Sequence, residues 1–323
     1  MTVRALDLFC GAGGSSWGAR GAGVEIIAAF DLWSLAGDAH DINFPESTFI
    51  QGRLEEHDVA KLAKRFRDID LIIASPECTN HSPAKGGKPR CERSKETAFQ
   101  VIRFARAFRP RWIVIENVIN MRKWSRYAEF KQELEGIGYN INEEVLNSQD
   151  FGVPQSRRRL FLMADNEATP PAIKRRKSKV KTAAQILAGN DEYRWAPLRQ
   201  TNRAAATLER AERGFSALGQ TEPFLLVYYG SDGAGGWQSL DRPLRTITTV
   251  DRFAIVRPDA THGHVMRMLQ PKELQAAMGM PKKMKLDSGT RRDRIKMIGN
   301  AVCPPVMQHV VKQLITTECG NEG

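Results

Sequence analysis

The sequence predicts an α/β fold, with a parallel sheet carrying helices on both faces and a smaller second lobe after it. Three observations support this. Apolar runs of strand length alternate with amphipathic stretches up to residue 164, the pattern of βαβ units. After residue 165 the alternation gives way to a polar, proline-initiated, basic segment. The chain has 323 residues and 41% hydrophobic side chains, enough for a sizeable core and a second lobe.

The elements can be justified in order. "VRALDLF" (3–9) is apolar and leads into glycines, as a buried strand does before a tight turn. "GGSSWGARGAG" (13–23) starts a helix, and "VEIIAAFD" (24–31) is the next strand. "LWSLAGDAHDINF" (32–44) has helical spacing, and "DIDLIIASP" (68–76) is a strand stopped by Pro76. "KETAFQVIRFARAFRP" (95–110) is an amphipathic helix closed by Pro110, and "RWIVIENV" (111–118) is a strand. "YAEFKQELEGIGY" (127–139) is a helix with a glycine stop, and "RRRLFLMA" (157–164) is the last strand of the series. Beyond it, "TPPAIKRRKSKVKT" (169–182) reads as a linker or arm, 202–218 as a helix and 229–237 as a Gly-rich turn. Residues 244–256 are β-rich, 270–280 helical, and 294–315 a Gly-Asn turn followed by a helix. No internal repeat is visible.

Composition narrows the function. The longest apolar runs, "LIIA" and "WIVI", are too short to cross a bilayer, and the N-terminus has no signal-peptide core. The five cysteines include no CxxC pair, which argues against a disulfide framework and fits a reducing compartment, the cytoplasm. Cys78, His81 and Cys91 match no common zinc spacing, so no metal is expected. Lys and Arg number 48 against 37 Asp and Glu, a net charge of +11. Dense basic runs at 155–159, 174–181 and 290–296 suit a polyanionic partner, although a basic enzyme with no such partner fits the charge as well.

Two strand ends and one turn carry the candidate chemistry. "DLFCGAGGSSWG" places Gly11, Gly13, Gly14 and Gly18 where a strand turns into a helix. Asp31 ends the next strand about 20 residues on, where an acid takes ribose hydroxyls. The spacing is not the pyrophosphate fingerprint G-x-G-x-x-G, and it suits a nucleoside without phosphates, such as S-adenosylmethionine. A plain tight turn between strand and helix remains the alternative. Cys78 and Glu116 each follow a strand's carboxyl end, where open α/β sheets bind ligands. A buried structural thiol and a salt-bridging acid are the simpler readings of these two.

Taken together, "DLFCGAGGSSWG", the thiol in "SPECTNHS", "ENV", "QSRRR" and "IGNAVCPPV" resemble, in this order, the C5-cytosine DNA methyltransferases. The resemblance runs from residue 3 to about 315, with a variable gap near 166–240. It implies a Rossmann-like S-adenosylmethionine-dependent sheet with a small variable target-recognition domain. The division expected is 1–165 for catalysis and donor binding, 166–240 for target recognition, and 241–323 returning to the catalytic domain. The resemblance implies Cys78 as the nucleophile that adds to C6 of a flipped cytosine, so that C5 can attack the methyl group. Glu116 would hold N3 and the exocyclic amine, and Arg157 and Arg159 the base edge and backbone. Phe9, Gly11, Gly13, Gly14, Asp31, Leu32 and Asn300 would form the donor site. Residues from Ser82 to Gly87 would close over the base, with "KGGKPR" (85–90) as hinge and phosphate contact. Ser82, Gln155, Lys174, Arg175 and Arg176 are the expected DNA contacts.

Three features depart from the family pattern. Glu77 and Thr79 flank Cys78, with Pro76 one place earlier than usual, and a carboxylate close to the thiol would raise its pKa. Arg53 stands where the family carries an acid for the adenine amine, and Cys303 where a proline is frequent. In the variable region, "LRQTNR" (198–203) and the aromatics Tyr229 and Trp237 are either base readers or packing. Double-stranded DNA is the expected partner of a monomer, and a cognate restriction endonuclease is compatible. The competing readings are an RNA cytosine methyltransferase, a DNA-binding relative without catalysis, and a dinucleotide oxidoreductase resting on the glycine turn alone.

Overall fold

The computed structural model describes residues 2–76, 97–175, 179–189, 192–229 and 233–316. Seven strands form the main sheet: β1 (Arg4–Leu8), β2 (Glu25–Asp31), β3 (Thr48–Gln51), β4 (Leu71–Ala74), β5 (Trp112–Asn117), β6 (Asn140–Asn147) and β7 (Arg158–Asp165). Their order is β3-β2-β1-β4-β5-β7-β6. The first five are parallel, as expected, while β7 runs antiparallel to both its neighbours. The chain leaves β5, crosses through a helix to β6, and returns by a short turn to place β7 in the gap between them.

Alternation along the strands sends side chains to two cores. Leu6, Leu8, Ile72 and Ile113 face α3 (Val59–Arg65), α4 (Ala98–Phe108) and α5 (Tyr127–Gly136), where Phe104 and Phe130 are fully buried. Ala5, Leu71, Ile73 and Val114 face the opposite side, which holds α1 (Gly14–Gly21) and α2 (Ser34–Asn43). The chain's last helix, α9 (Pro304–Thr316), packs there against α1. Gly14 and Gly18, one helical turn apart, permit that approach. A Cβ on Gly14 would lie 2.5 Å from the Val302 carbonyl oxygen, and one on Gly18 would lie 2.6 Å from Met307 Cβ. The C-terminal segment thus completes the N-terminal sheet, as the motif order implies.

Sequence periodicity missed β3 and β6. β3 has four residues, and β6, "NINEEVLN", is polar because it is an edge strand. Its outer side is covered by the chain at 170–173, where Asn142 donates to the Pro171 carbonyl (3.1 Å) and Ile173 donates its N–H to Glu144 (2.6 Å).

The second unit is an antiparallel sheet in the order β10-β9-β11-β12-β8. Its strands are β8 (Ala196–Pro197), β9 (Phe224–Val227), β10 (Trp237–Ser239), β11 (Phe253–Asp259) and β12 (Gly263–Met268). Helix α6 (Ala205–Leu218) covers one face through Ala211 and Phe215, against Phe224 and Val256. Leu225, Phe253 and Ile255 on the other face join the core beneath the main sheet. Two of the five strands follow residue 240, so the expected boundary there cuts through this sheet. Strand pairing, not the end of the variable segment, sets its extent. The return to the main sheet begins with α7 (Pro271–Ala277) and continues through α8 (Arg291–Asn300) to α9.

Candidate active site

Glu116, one residue before the end of β5, is 6% exposed, and Arg159 on the neighbouring β7 pairs with it, Nε to Oε1 at 3.2 Å. Burial raises the Glu116 pKa, and Arg159 and Arg157 pull it partly back. Burial thus favours the protonated carboxyl and the two guanidinium groups favour the carboxylate. Asn117, the next residue, donates from Nδ2 to the Pro76 carbonyl (3.2 Å) and accepts the Val118 N–H (2.8 Å). The end of β4 is therefore tied to the end of β5 two residues before Cys78. Cys78 itself, Glu77, Thr79, Ser82 and the expected closing segment to residue 90 lie outside the described residues, as does Arg176.

Gln155 does not face DNA, and that expectation is corrected, whereas Arg157 lines the cavity beside Glu116 with its guanidinium bound to backbone carbonyls. Arg157 is 4% exposed and donates to the carbonyls of Ile247 (3.0 Å), Gly299 (3.0 Å) and Ala301 (3.2 Å). It clamps the "GNAV" turn to the start of β7, and its charge still bears on Glu116. Gln155 has no exposed surface. It donates to the Ala277 carbonyl (3.3 Å) and accepts the Ile247 N–H (3.0 Å), so it cannot reach DNA. Both residues are spent joining the second unit to the main sheet. Cys303, in the same buried cavity as Glu116 and Arg159, donates weakly to Met278 Sδ (3.8 Å), and burial pushes its thiol up to about 11. It is a packing thiol.

On the other side of the strand ends lies the glycine turn. Phe9 takes a left-handed conformation at φ 60, and Gly11 follows at φ 50 with open space where a Cβ would stand. The Gly11 N–H donates to Asp31 Oδ2 (2.9 Å), and the Trp33 N–H to Oδ1 (2.9 Å). Two backbone donors leave the carboxylate with free lone pairs for hydroxyl groups. Leu32, beside it, is 48% exposed, an apolar surface at the lip. An open backbone, an acceptor and an exposed apolar side chain fit a nucleoside. A Cβ on Gly13 would lie 2.7 Å from the Phe44 ring and one on Gly14 2.5 Å from the Val302 carbonyl oxygen, so packing requires glycine at both positions of the turn. Asn300 is exposed at the end of α8.

Asp7 was missed as a site residue. It is fully buried in β1 and accepts from the hydroxyls of Ser15 (2.6 Å) and Ser16 (2.5 Å) at the start of α1. It fastens the glycine turn from below. The visible signal was an acid inside an apolar strand with two serines eight and nine residues later. A surface groove of about 410 Å³ beside Phe99, Arg106 and Glu133 is larger than the cavity lined by Glu116, Arg159 and Cys303. It sits on the α4–α5 side and carries surface ion pairs, away from the strand ends.

The variable region resolves mostly into packing. Arg199 pairs with Glu212, and Arg203 donates to the carbonyls of Pro197 (3.0 Å) and Leu198 (3.2 Å). Tyr229 donates to the Thr246 carbonyl (2.5 Å) and meets Phe253 edge to face, and Trp237 packs on the α6 core. Lys174 and Arg175 are exposed, with the Lys174 backbone held on α9 by Gln313 and His309.

A model of the C-5 cytosine-specific DNA methylases matches residues 3–316. The chain belongs to this family. Among relatives, it is 27% identical to the Type II methyltransferase M.HindV of Haemophilus influenzae over 324 residues, 98% of this chain and 97% of that one. M.XorII of Xanthomonas oryzae is 32% identical over 177 residues, which is 51% of this chain and 41% of that one. Among solved structures, the Entamoeba histolytica methyltransferase EhMeth superposes with a TM-score of 0.71 at 16% identity, covering 98% of this chain and 99% of that one. A Spodoptera frugiperda DNMT2 mutant gives 0.70 at 18% identity, covering 97% and 100%. At such identities the structures establish the fold.

Proposed function

We propose that this methyltransferase is a DNA (cytosine-5-)-methyltransferase that works through Cys78. The observation that carries the reading is the buried Glu116–Arg159 pair, with Asn117 holding Pro76 beside it. The strand that leads to Cys78 and the strand that carries Glu116 then serve one base.

In this reading Cys78 adds as a thiolate to C6 of the flipped cytosine, and the electron pair moves to C5. Glu116 delivers its proton to N3 as charge builds on the ring, and Arg159 holds the carboxyl in place and balances the carboxylate that results. S-adenosylmethionine supplies an electrophilic methyl group, leaving as the homocysteine thioether. Loss of the C5 proton to a water base then expels the Cys78 thiolate, and N3 returns its proton to Glu116, which restores the ring and the enzyme. Gly11, Asp31 and Leu32 orient the nucleoside, and the Arg157 clamp keeps the "GNAV" turn under it. Lys174, Arg175 and Arg176 are assigned to phosphates, which position the duplex without reading it. Double-stranded DNA is the partner, the protein acts as a monomer in the cytoplasm, and a cognate restriction endonuclease is compatible with it. Among the described residues no helix is long and apolar enough to cross a membrane.

The test is incubation with S-adenosylmethionine and unmethylated DNA, followed by mapping of 5-methylcytosine. Methylation confined to one short motif, abolished by Cys78→Ala with donor binding intact, is the expected result. Donor binding without any methylated duplex DNA would overturn the DNA reading, and turnover by Cys78→Ala would overturn the covalent route.

A further inference from the structure

Helix α4 buries one face and carries cations on the other. Val101, Phe104 and Ala105 enter the core, while Arg103 and Arg106, three residues apart, project side by side. The sequence has no acid between Ala98 and Arg109 to offset them. The groove of about 410 Å³ lies along this face, and its size is that of a small-molecule site. Arg126, which precedes α5, lines it as well, with its guanidinium carbon 4.3 Å from the centre of the Phe99 ring. Three guanidinium groups therefore border one depression whose lining holds a single carboxylate, Glu133.

The charges there are weakly answered. Arg103 donates to the carbonyls of Leu54 (2.5 Å), Glu55 (3.2 Å) and His57 (2.9 Å), which fixes its position but leaves its charge unneutralised. Arg106 pairs with Glu133 (3.1 Å) and Arg126 with Glu129 (2.6 Å), yet these four side chains are 36–57% exposed. Ion pairs so open to water contribute little. A phosphate group brings nearly two negative charges and three acceptor oxygens, and guanidinium forks match it in geometry. It can therefore displace the two glutamates. Two polar atoms of the lining residues, Arg103 Nε and Gln100 Oε1, are buried without a hydrogen-bond partner among the described residues, the incomplete pairing expected where a ligand completes a site.

We propose that the groove between α4 and α5 is a second binding site, separate from the strand ends, for a small phosphate-bearing molecule held by Arg106 and Arg126, with Arg103 adding its charge. Glu133 opposes the anion until Arg106 is handed over to it. The experiment is calorimetric titration of the full chain with inorganic phosphate, pyrophosphate and ADP, with S-adenosylhomocysteine present to keep ADP out of the donor site. Wild type is compared with Arg106→Gln, Arg126→Gln and Glu133→Gln. Each arginine variant weakens binding by about tenfold or more, and Glu133→Gln tightens it severalfold. Opposite signs from exposed positions on one groove separate a charge effect from general damage to the fold. Tighter binding of ADP than of pyrophosphate supports the site and makes a nucleotide its ligand, and equal affinity supports it as a site for the phosphate groups alone. Failure of wild type to bind any of the three, or constants that do not change in the arginine variants, overturns the proposal and leaves the methyltransferase reading untouched.

Discussion

Acid and base stability should reveal two buried groups that pull in opposite directions. Asp7 is fully buried, and burial pushes its carboxyl from 3.8 up to about 6, against the pull of the Ser15 and Ser16 hydroxyls. The folded state holds this proton more tightly than the unfolded chain does. The stability Asp7 contributes is full below pH 3.8 and is lost as pH rises through about 6. At 1.36 kcal/mol per pH unit, the loss is about 3 kcal/mol. His40 is the mirror case. It is buried between Phe44 (centroids 4.9 Å, stacked) and Phe49, with no hydrogen-bond partner on either ring nitrogen among the described residues. Burial lowers its pKa from 6.5 to about 4. Above pH 6.5 it is neutral in both states, and as pH falls toward 4 the unfolded chain gains a proton that the folded state refuses. That costs about 3 kcal/mol in the opposite direction. Between pH 4 and 6 the two effects nearly cancel in wild type. Asp7→Asn and His40→Leu, each compared with wild type by urea unfolding from pH 4 to 7, separate them. The stability of Asp7→Asn relative to wild type should rise by about 3 kcal/mol from pH 4 to 7, and that of His40→Leu should rise by about as much from pH 7 to 4. Differences that do not vary with pH would refute the reasoning, because the serines would then fully compensate the Asp7 anion and His40 would be solvated.

Further outcomes follow from the site. Glu116→Gln keeps the shape but has no proton to pass to N3, so kcat should fall by about 10²–10⁴ with donor affinity unchanged, measured by single-turnover methylation. Arg157→Met removes the buried charge that holds the Ile247, Gly299 and Ala301 carbonyls and should cost about 3 kcal/mol or more in unfolding experiments. Gly18→Ala forces a Cβ into Met307 Cβ and the Pro304 carbonyl and should destabilise by about 1–3 kcal/mol. Gly136→Ala, with open space around it, should stabilise by a few tenths to about 1 kcal/mol, both read from denaturant midpoints.

Much of the main sheet was legible because its signals are local. Runs such as "LIIA" and "WIVIEN" became fully buried strands, and Asp31 and Glu116 stand at strand ends as their positions implied. β6 was not legible, since an edge strand needs no apolar pattern when another part of the chain covers it. Nor was the true extent of the second sheet, which is decided by β11 pairing with β9 across the Gly-rich turn.

The sequence by itself determined the chemical inventory: a glycine turn, an acid after it, a thiol and a carboxyl at successive strand ends, and their order. Only the tertiary structure decided which of the polar residues face a ligand. Gln155 and Arg157 sit in the same short motif as Arg159, yet their partners are Ile247, Ala277, Gly299 and Ala301. The physical reason is that a buried donor or acceptor must find its partner wherever the chain returns. Those returns come some 90 to 144 residues later, at a range where residue type and spacing carry no information about distance.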